Sequence, residues 1–324
     1  MKVLVYTGAL SDKHKRLIDE TAAKAGVDLC YIDQENDVPD MYKEAEIVYG
    51  FGMNIGKSEA VTKNKNLKWV AMTSAGVDFL FKPGMFAAED VIITNGSGSY
   101  GVTIAEYIIA VSLMMMRKLT YHYEGTLKGE WRPPVMQKSL KGCRIAVLGT
   151  GDIGTNFAKR ARAFEPKSIV GICKSGKSSE NVFDKVVSVD ELDTVLPETD
   201  LLVMSLPATP ETEGILSGER IALLPEEAYV VNVGRGSAVD EDALADALEA
   251  DKLAGAALDV FRTEPLPQDN RLWKTKNLLI TPHCAGNLTI DYTRDTNVEL
   301  FCENLLNYVE GKPLNHVVDK EKRY

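Results

Sequence analysis

The chain alternates short apolar runs with longer amphipathic segments from its first residues. KVLVY (2–6), DLCYI (28–32), EIVYG (46–50), KWVAM (68–72) and VIIT (91–94) have the length and composition of buried strands. Residues 11–26, SDKHKRLIDETAAKAG, put apolar side chains on one helical face, start with Ser-Asp and stop at glycine. A second series begins at Arg144 with RIAVLG, SIVGICK, DLLVMSL, AYVVNVG, GAALDVF and NLLIT. Strands alternating with helices predict parallel sheets covered on both faces, an α/β fold. Between the two series, residues 102–118 are apolar almost all round and lack Gly and Pro. That predicts one buried helix, suited also to an interdomain or subunit contact. Residues 128–142, KGEWRPPVMQKSLKG, read as an irregular loop, and residues 289–309 as a last helix before a charged, frayed tail.

The 324 residues are enough for two domains. A net charge of -10 argues against a nucleic-acid or anionic-membrane partner. The five cysteines, Cys30, Cys143, Cys173, Cys284 and Cys302, are odd in number and contain no C-x-x-C. This argues against a disulfide framework or structural zinc and for a reducing compartment; no metal is expected. The first residues read as a strand followed by charges and not as a secretory signal. The longest apolar stretch, residues 107–116, is too short to span a bilayer. A cytoplasmic protein is expected.

Gly149-Thr150-Gly151-Asp152-Ile153-Gly154 follows an apolar strand and opens a helix. A lone G-x-G-x-x-G is weak, but this context is the one the motif requires. The first glycine permits a tight turn, the second lets the backbone approach a pyrophosphate, and the third lets helix and strand pack closely. The helix N-terminus then favours the anion. A dinucleotide is the expected cofactor. At the end of the next strand an acid would accept from the ribose 2′-hydroxyl of NAD. Here stand Cys173, Lys174, Ser175 and Lys177, with no acid before Glu180. Those residues suit a 2′-phosphate, so NADP(H) is the expected preference and NAD a possible cofactor. Asp152 inside the phosphate loop would repel pyrophosphate unless it points to solvent or caps the helix.

Three further strand ends carry reactive side chains. VVNVGRGSAVDEDAL holds Arg235 between two glycines, GAALDVFRTEPLP holds Asp259 and Glu264, and LLITPHCAG holds His283. A strand ending in Thr-Pro cannot simply continue, so His283 is expected on a turn at the strand's C-terminal edge. In open α/β sheets that edge is where ligands bind. Arginine can fork onto a carboxylate and the neighbouring carbonyl oxygen. Histidinium can donate a proton to that oxygen as hydride arrives. A carboxylate on the other imidazole nitrogen fixes the tautomer. Singly, Arg235 also reads as an exposed turn residue and Glu264 as a strand end; together they are the set that 2-oxo acid chemistry needs. The other histidines, His14, His122 and His316, sit among polar residues and read as surface residues.

GTGDIG, SLPATPETEGIL, NVGRGSAVDEDAL, GAALDVFRTEPLP and LLITPHCAG resemble the D-isomer-specific 2-hydroxyacid dehydrogenase family, over residues 70 to about 311. The resemblance implies two doubly wound parallel-sheet domains. Residues 100–286 would be a Rossmann dinucleotide-binding domain. Residues 1–99 and 287–324 would form a discontinuous, flavodoxin-like substrate-binding domain. It implies Arg235, Glu264 and His283 as the catalytic set and Asp259 near the nicotinamide carboxamide. Thr103, Leu206, Pro207, Val233, Gly234 and Gly286 would line the cofactor with the GTGDIG loop. Backbone N–H groups of Ala75, Gly76 and Val77, in TSAGVDFL, would hold the substrate carboxylate. The family expectation is a homodimer joined through the long helix and the loop after it. Asp152, where the family often has a basic residue, and Lys174 with Ser175, which replace an acid, depart from its NAD-specific pattern. The expected activity is NAD(P)-dependent reduction of a small 2-oxo acid, such as glyoxylate or hydroxypyruvate, to the (R)-2-hydroxy acid. A phosphoglycerate dehydrogenase-type enzyme and a non-catalytic nucleotide-sensing scaffold are the alternatives. YGFGMNIG and EWRPP are expected to line the substrate pocket.

Overall fold

Each of the two series of short apolar runs forms strands, because short runs of β-branched and aliphatic side chains are covered on both faces in a parallel sheet. The computed structural model describes every residue except 7, 9, 34–37, 51–58, 81–84, 89, 179–180 and 322–324. Most of the YGFGMNIG loop, and Glu180, therefore lie outside the described residues. The chain divides into two compact units, Met1–Tyr100 with Asn287–Tyr324, and Gly101–Gly286.

The first unit holds β1 (Lys2–Tyr6), β2 (Asp28–Ile32), β3 (Ile47–Gly50), β4 (Trp69–Met72) and β5 (Ile92–Thr94), all parallel in the order β2-β1-β3-β4-β5. This is the flavodoxin-like doubly wound order. Its core is aromatic on one face. Tyr49 stacks on Phe301 of the last helix (Asp291–Val309) with ring centroids 3.9 Å apart, and buried Trp69 donates from Nε1 to Thr94 Oγ1 at 2.9 Å. His14 corrects the surface expectation, being only 2% exposed. Its Nδ1 accepts from the Ser11 N–H at 3.1 Å, and its Nε2 lies 2.7 Å from Asp295 Oδ1. The polar neighbours that suggested solvent instead cap the first helix (Asp12–Ala25) and tie it to the last.

The second unit holds β6 (Arg144–Leu148), β7 (Ser168–Cys173), β8 (Lys185–Ser188), β9 (Leu201–Met204), β10 (Tyr229–Asn232), β11 (Gly255–Leu258) and β12 (Leu278–Ile280). They form one parallel sheet in the order β12-β11-β10-β9-β6-β7-β8, the Rossmann order. The edge strand β8 has only two apolar residues and gave no clear run in the sequence. The long helix runs from Gly101 to Met116 and buries Ile104, Ala105, Ile108, Val111, Met115 and Met116. It stops short of the expected residue 118 because Lys118 turns into the left-handed region (φ +51°), and a second helix, Leu119–Lys128, follows. Among the described residues no helix is long and apolar enough to cross a membrane.

Candidate active site

β9, β10, β11 and β12 are hydrogen-bonded neighbours running the same way, so the loops that leave their C-terminal ends are also neighbours. Glycines let those loops touch. A Cβ on Gly234 would stand 2.6 Å from the backbone N and O of Leu206, and one on Gly236 would stand 1.9 Å from the carbonyl carbon of Phe261. The Arg235 turn is thus wedged between the loop after β9 and the loop after β11. Buried Asn232 pins it from inside: its Nδ2 donates to the Arg235 carbonyl and its Oδ1 accepts from the Gly234 N–H, both at 3.0 Å. Arg235 itself is extended (φ -139°), partly buried, and donates from Nη1 to the Gly234 carbonyl at 2.9 Å. Sequence reasoning passed over Asn232, although an amide at a strand end before two glycines is a turn-forming signal.

His283 and Glu264 meet. His283 Nδ1 lies 2.7 Å from Glu264 Oε2, and the other carboxylate oxygen of Glu264 accepts from the Phe261 N–H at 2.8 Å. The carboxylate is therefore oriented by backbone before it orients the imidazole. His283 sits in the left-handed region (φ +53°), uncommon for a residue with a side chain. Its N–H donates to the Asp259 carbonyl at 2.8 Å, which holds the residue in that conformation. The Asp259 carboxylate is 2% exposed and accepts three bonds, from Thr281 Oγ1 (2.6 Å), the Cys284 N–H (2.8 Å) and the Ala285 N–H (2.9 Å). Asp259 is thus the strut of the His283 loop. Thr281 is hydrogen-bonded in turn to Tyr107 of the long helix. Half of the His283 side chain remains exposed, 49%, which leaves the imidazole open to a reactant.

The phosphate loop follows β6, next to the point between β6 and β9 where the strand order reverses. Gly149 has φ +109°, and Gly154 packs so closely that a Cβ would stand 1.9 Å from the Gly149 carbonyl oxygen. A Cβ on Gly151 would meet nothing within 4 Å. Two of the three glycines are needed by the protein's own packing; the third faces open space, which is the room a pyrophosphate needs. Ile153 is partly buried behind it in the helix Asp152–Ala161. Asp152 is exposed, accepts from Asn156 Nδ2 at 2.8 Å, and lies against Gly101 at the start of the long helix. A Cβ on Gly101 would stand 2.3 Å from Asp152 Oδ1, so that glycine makes room for the carboxylate. Thr103 is buried one residue further than Val102 along the same helix. Leu206, Pro207, Val233, Gly234 and Gly286 all lie on loops leaving β9, β10 and β12, at the same sheet edge.

At the end of β7, Ser175 Oγ donates to the Lys177 carbonyl (3.1 Å) and accepts from the Lys177 N–H (3.3 Å), closing a small turn. Lys174 reaches Glu211, on the loop after β9, at 3.3 Å. Lys174 is thus paired with a carboxylate far away in the sequence. Burial raises the Cys173 thiol, but Ser175, Thr150 and the backbone of residues 176 and 177 together outweigh it and lower its pKa.

In the other unit, Asn95 Nδ2 donates to the Ala75 carbonyl and Ser74 Oγ to the Gly76 carbonyl, both at 2.9 Å. The turn is fixed through its carbonyls, and the N–H groups of Ala75, Gly76 and Val77 keep no acceptor among the described residues. Such a row of free amides is a fair site for a carboxylate.

Residues 109–285 match the family model described as D-isomer specific 2-hydroxyacid dehydrogenase, NAD binding domain. The glyoxylate reductase of Thermofilum pendens is 31% identical, over 82% of this chain and 78% of that protein. The D-3-phosphoglycerate dehydrogenase of Archaeoglobus fulgidus is also 31% identical over 81% of this chain, but the chain spans only about half, 49%, of its length. A solved D-isomer specific 2-hydroxyacid dehydrogenase family protein from Aeromonas salmonicida superposes with a TM-score of 0.86, at 30% identity, covering 98% of this chain and 99% of that one. A D-isomer specific 2-hydroxyacid dehydrogenase from Xanthobacter autotrophicus, solved with NADPH and MES, superposes with a TM-score of 0.78 at 27% identity, covering 100% and 99%.

Proposed function

Since the chain belongs to the D-isomer specific 2-hydroxyacid dehydrogenase family, we propose that it reduces a small 2-oxo acid to the (R)-2-hydroxy acid with NADPH. The observation that carries this reading is the 2.7 Å contact between His283 and Glu264, beside a turn that presents Arg235. Glu264 accepts from Nδ1, which leaves Nε2 as the proton-donating atom. His283 gives that proton to the carbonyl oxygen of the substrate. Arg235 forks onto the carboxylate and carbonyl oxygens and orders the substrate for attack. The amides of Ala75, Gly76 and Val77 are proposed as a further carboxylate ligand. The unit Gly101–Gly286 is proposed as the dinucleotide-binding domain, and Met1–Tyr100 with Asn287–Tyr324 as the substrate-binding domain.

The cofactor fits the residues present. Gly151 leaves space where backbone must approach a diphosphate, and the helix Asp152–Ala161 begins there with its positive dipole end. When bound, the nicotinamide supplies the hydride. Thr103, Leu206, Pro207, Val233, Gly234 and Gly286 are proposed to line it; Asp259, expected there, is instead buried and bonded within the His283 loop. Lys174, Ser175 and Lys177 are proposed to favour the 2′-phosphate, and the NADPH in the Xanthobacter structure supports that choice. Exposed Leu127, Trp131 and Met136, on the segment after the long helix, support a homodimer through that region. The five free cysteines support a cytoplasmic setting. The test is NADPH oxidation with a panel containing glyoxylate, hydroxypyruvate, pyruvate and phosphohydroxypyruvate. Turnover of the unphosphorylated acids with NADPH favoured over NADH is expected, and turnover of none would refute the reading.

A further inference from the structure

β11 and β12 pair in register, Leu258 against Ile280, so Asp259 and Thr281 leave the sheet side by side. The Thr281 N–H continues the ladder to the Leu258 carbonyl at 3.1 Å, and two residues later the His283 N–H bonds the Asp259 carbonyl. The Asp259 carboxylate takes the Thr281 hydroxyl and two amides of the same turn. A charge this deep is tolerated only when donors surround it. These bonds tie one loop to the other. Tyr107 adds a tie to a third element, the long helix, through its hydrogen bond with Thr281.

The direction of that tie follows from the chemistry. A carboxylate only accepts, so the single hydroxyl proton of Thr281 is committed to Asp259. The Thr281 oxygen must then accept from the Tyr107 phenol. Burial pushes that phenol up to about 12, so Tyr107 keeps its proton across the neutral range. The donors form a chain, Tyr107 to Thr281 to Asp259, and hydrogen bonds in such a chain strengthen one another. His283 needs a firm frame, because its backbone lies in the left-handed region that a side chain disfavours. Where the turn sets the imidazole decides whether Nδ1 meets Glu264.

We propose that Tyr107 and Thr281 are positioning residues for the proton donor: their hydroxyl chain, anchored in the long helix and ending on Asp259, holds the turn on which His283 meets Glu264. The proposal rests on the reading of His283 as the proton donor. Neither hydroxyl touches a reactant. Both act through Asp259 on the geometry of His283, so their loss should slow the chemical step and spare binding.

The experiment measures kcat and KM for NADPH-dependent reduction of glyoxylate and hydroxypyruvate in the wild type, Tyr107→Phe, Thr281→Ser, Thr281→Val and the double variant Tyr107→Phe with Thr281→Val. Tyr107→Phe removes one neutral hydrogen bond and is expected to lower kcat roughly 3- to 10-fold. Thr281→Val keeps the shape but takes a donor from a buried charge, and is expected to lower kcat roughly 10- to 100-fold. KM for the acid and for NADPH should stay within about twofold in both. Thr281→Ser keeps the hydroxyl and should stay close to the wild type. The double variant should be no slower than Thr281→Val, because the chain is already cut there. A Tyr107→Phe protein with wild-type kcat overturns the proposal. So does a loss that appears in KM alone, a Thr281→Ser protein as slow as Thr281→Val, or losses that add fully in the double variant. Tyr107→Phe and Thr281→Ser change the packing least, and their kcat decides the matter even if Thr281→Val fails to fold. His283→Ala separates the two readings. If it keeps the wild-type rate, the proton-donor reading falls and the proposal with it. If it loses the rate while Tyr107→Phe does not, the proposal alone falls.

Discussion

Gly236→Ala is the substitution that most directly tests whether the Arg235 and Glu264 loops must touch. The added Cβ would stand 1.9 Å from the Phe261 carbonyl carbon and 2.3 Å from the Arg262 nitrogen, both backbone atoms. Ordinary contact begins near 3.4 Å, so the two loops must part by about 1.5 Å. The loop after β11 cannot yield cheaply. The Phe261 N–H is bonded to Glu264 at 2.8 Å and the Arg262 N–H to Glu241 at 2.7 Å. Overpacking of this kind costs roughly 1–3 kcal/mol of stability. A shift of about 1 Å between Arg235 and the His283–Glu264 pair costs roughly 10²-fold in rate. The assay is kcat/KM for NADPH-dependent reduction, with thermal melting on the same samples. Gly151→Ala is the contrast: its Cβ meets nothing within 4 Å and its backbone is extended (φ -75°), so it should melt with the wild type while binding NADPH more weakly. A Gly236→Ala protein with a wild-type rate, or a Gly151→Ala protein with wild-type NADPH affinity, would refute the corresponding role.

Lys174→Ala combined with Lys177→Ala should lower kcat/KM for NADPH roughly tenfold or more while changing NADH little, since both lysines are exposed and their phosphate contacts are only partly desolvated; equal losses on both cofactors would remove the two lysines from cofactor choice. Asp200→Asn should cost about 2 kcal/mol, because Asp200 accepts from the Arg144 backbone N–H (2.7 Å) and from its guanidinium at 2.8 and 3.0 Å. Burial raises the Asp200 carboxyl, but the Arg144 bonds and charge outweigh it and hold its pKa below the ordinary value. A lowered folded-state pKa gives stability that is full above the ordinary carboxylate value and is lost as pH falls through the folded value. The melting gap between wild type and Asp200→Asn should therefore be widest near neutral pH and close below about pH 4; a gap that widens in acid would show that the ion pair is not its source.

Both sheets were legible because strands such as KVLVY and AYVVNVG carry unbroken apolar runs, and because GTGDIG sits between a run and an amphipathic helix. What stayed hidden depends on atoms far apart in the chain. The polar neighbours of His14 suggested solvent, yet its burial is set by Asp295, more than 280 residues away. The break at Lys118 rests on one left-handed residue that no periodicity marks. The accommodation of Asp152 depends on Gly101, and the acid opposite Lys174 comes from Glu211 on another strand's loop. Arg235, Glu264 and His283 were readable as types at strand ends, but the left-handed backbone of His283 and the three bonds that saturate Asp259 were not.

The central claim is that His283 delivers a proton to a 2-oxo acid from an imidazole oriented by Glu264. Its most direct test is the kcat of NADPH-dependent hydroxypyruvate and glyoxylate reduction in His283→Ala, with NADPH affinity measured separately by fluorescence titration. The account predicts a loss of roughly 10²–10⁴ in kcat, the usual worth of a positioned acid, with NADPH affinity unchanged. A His283→Ala protein that turns over within a few-fold of the wild type would contradict it.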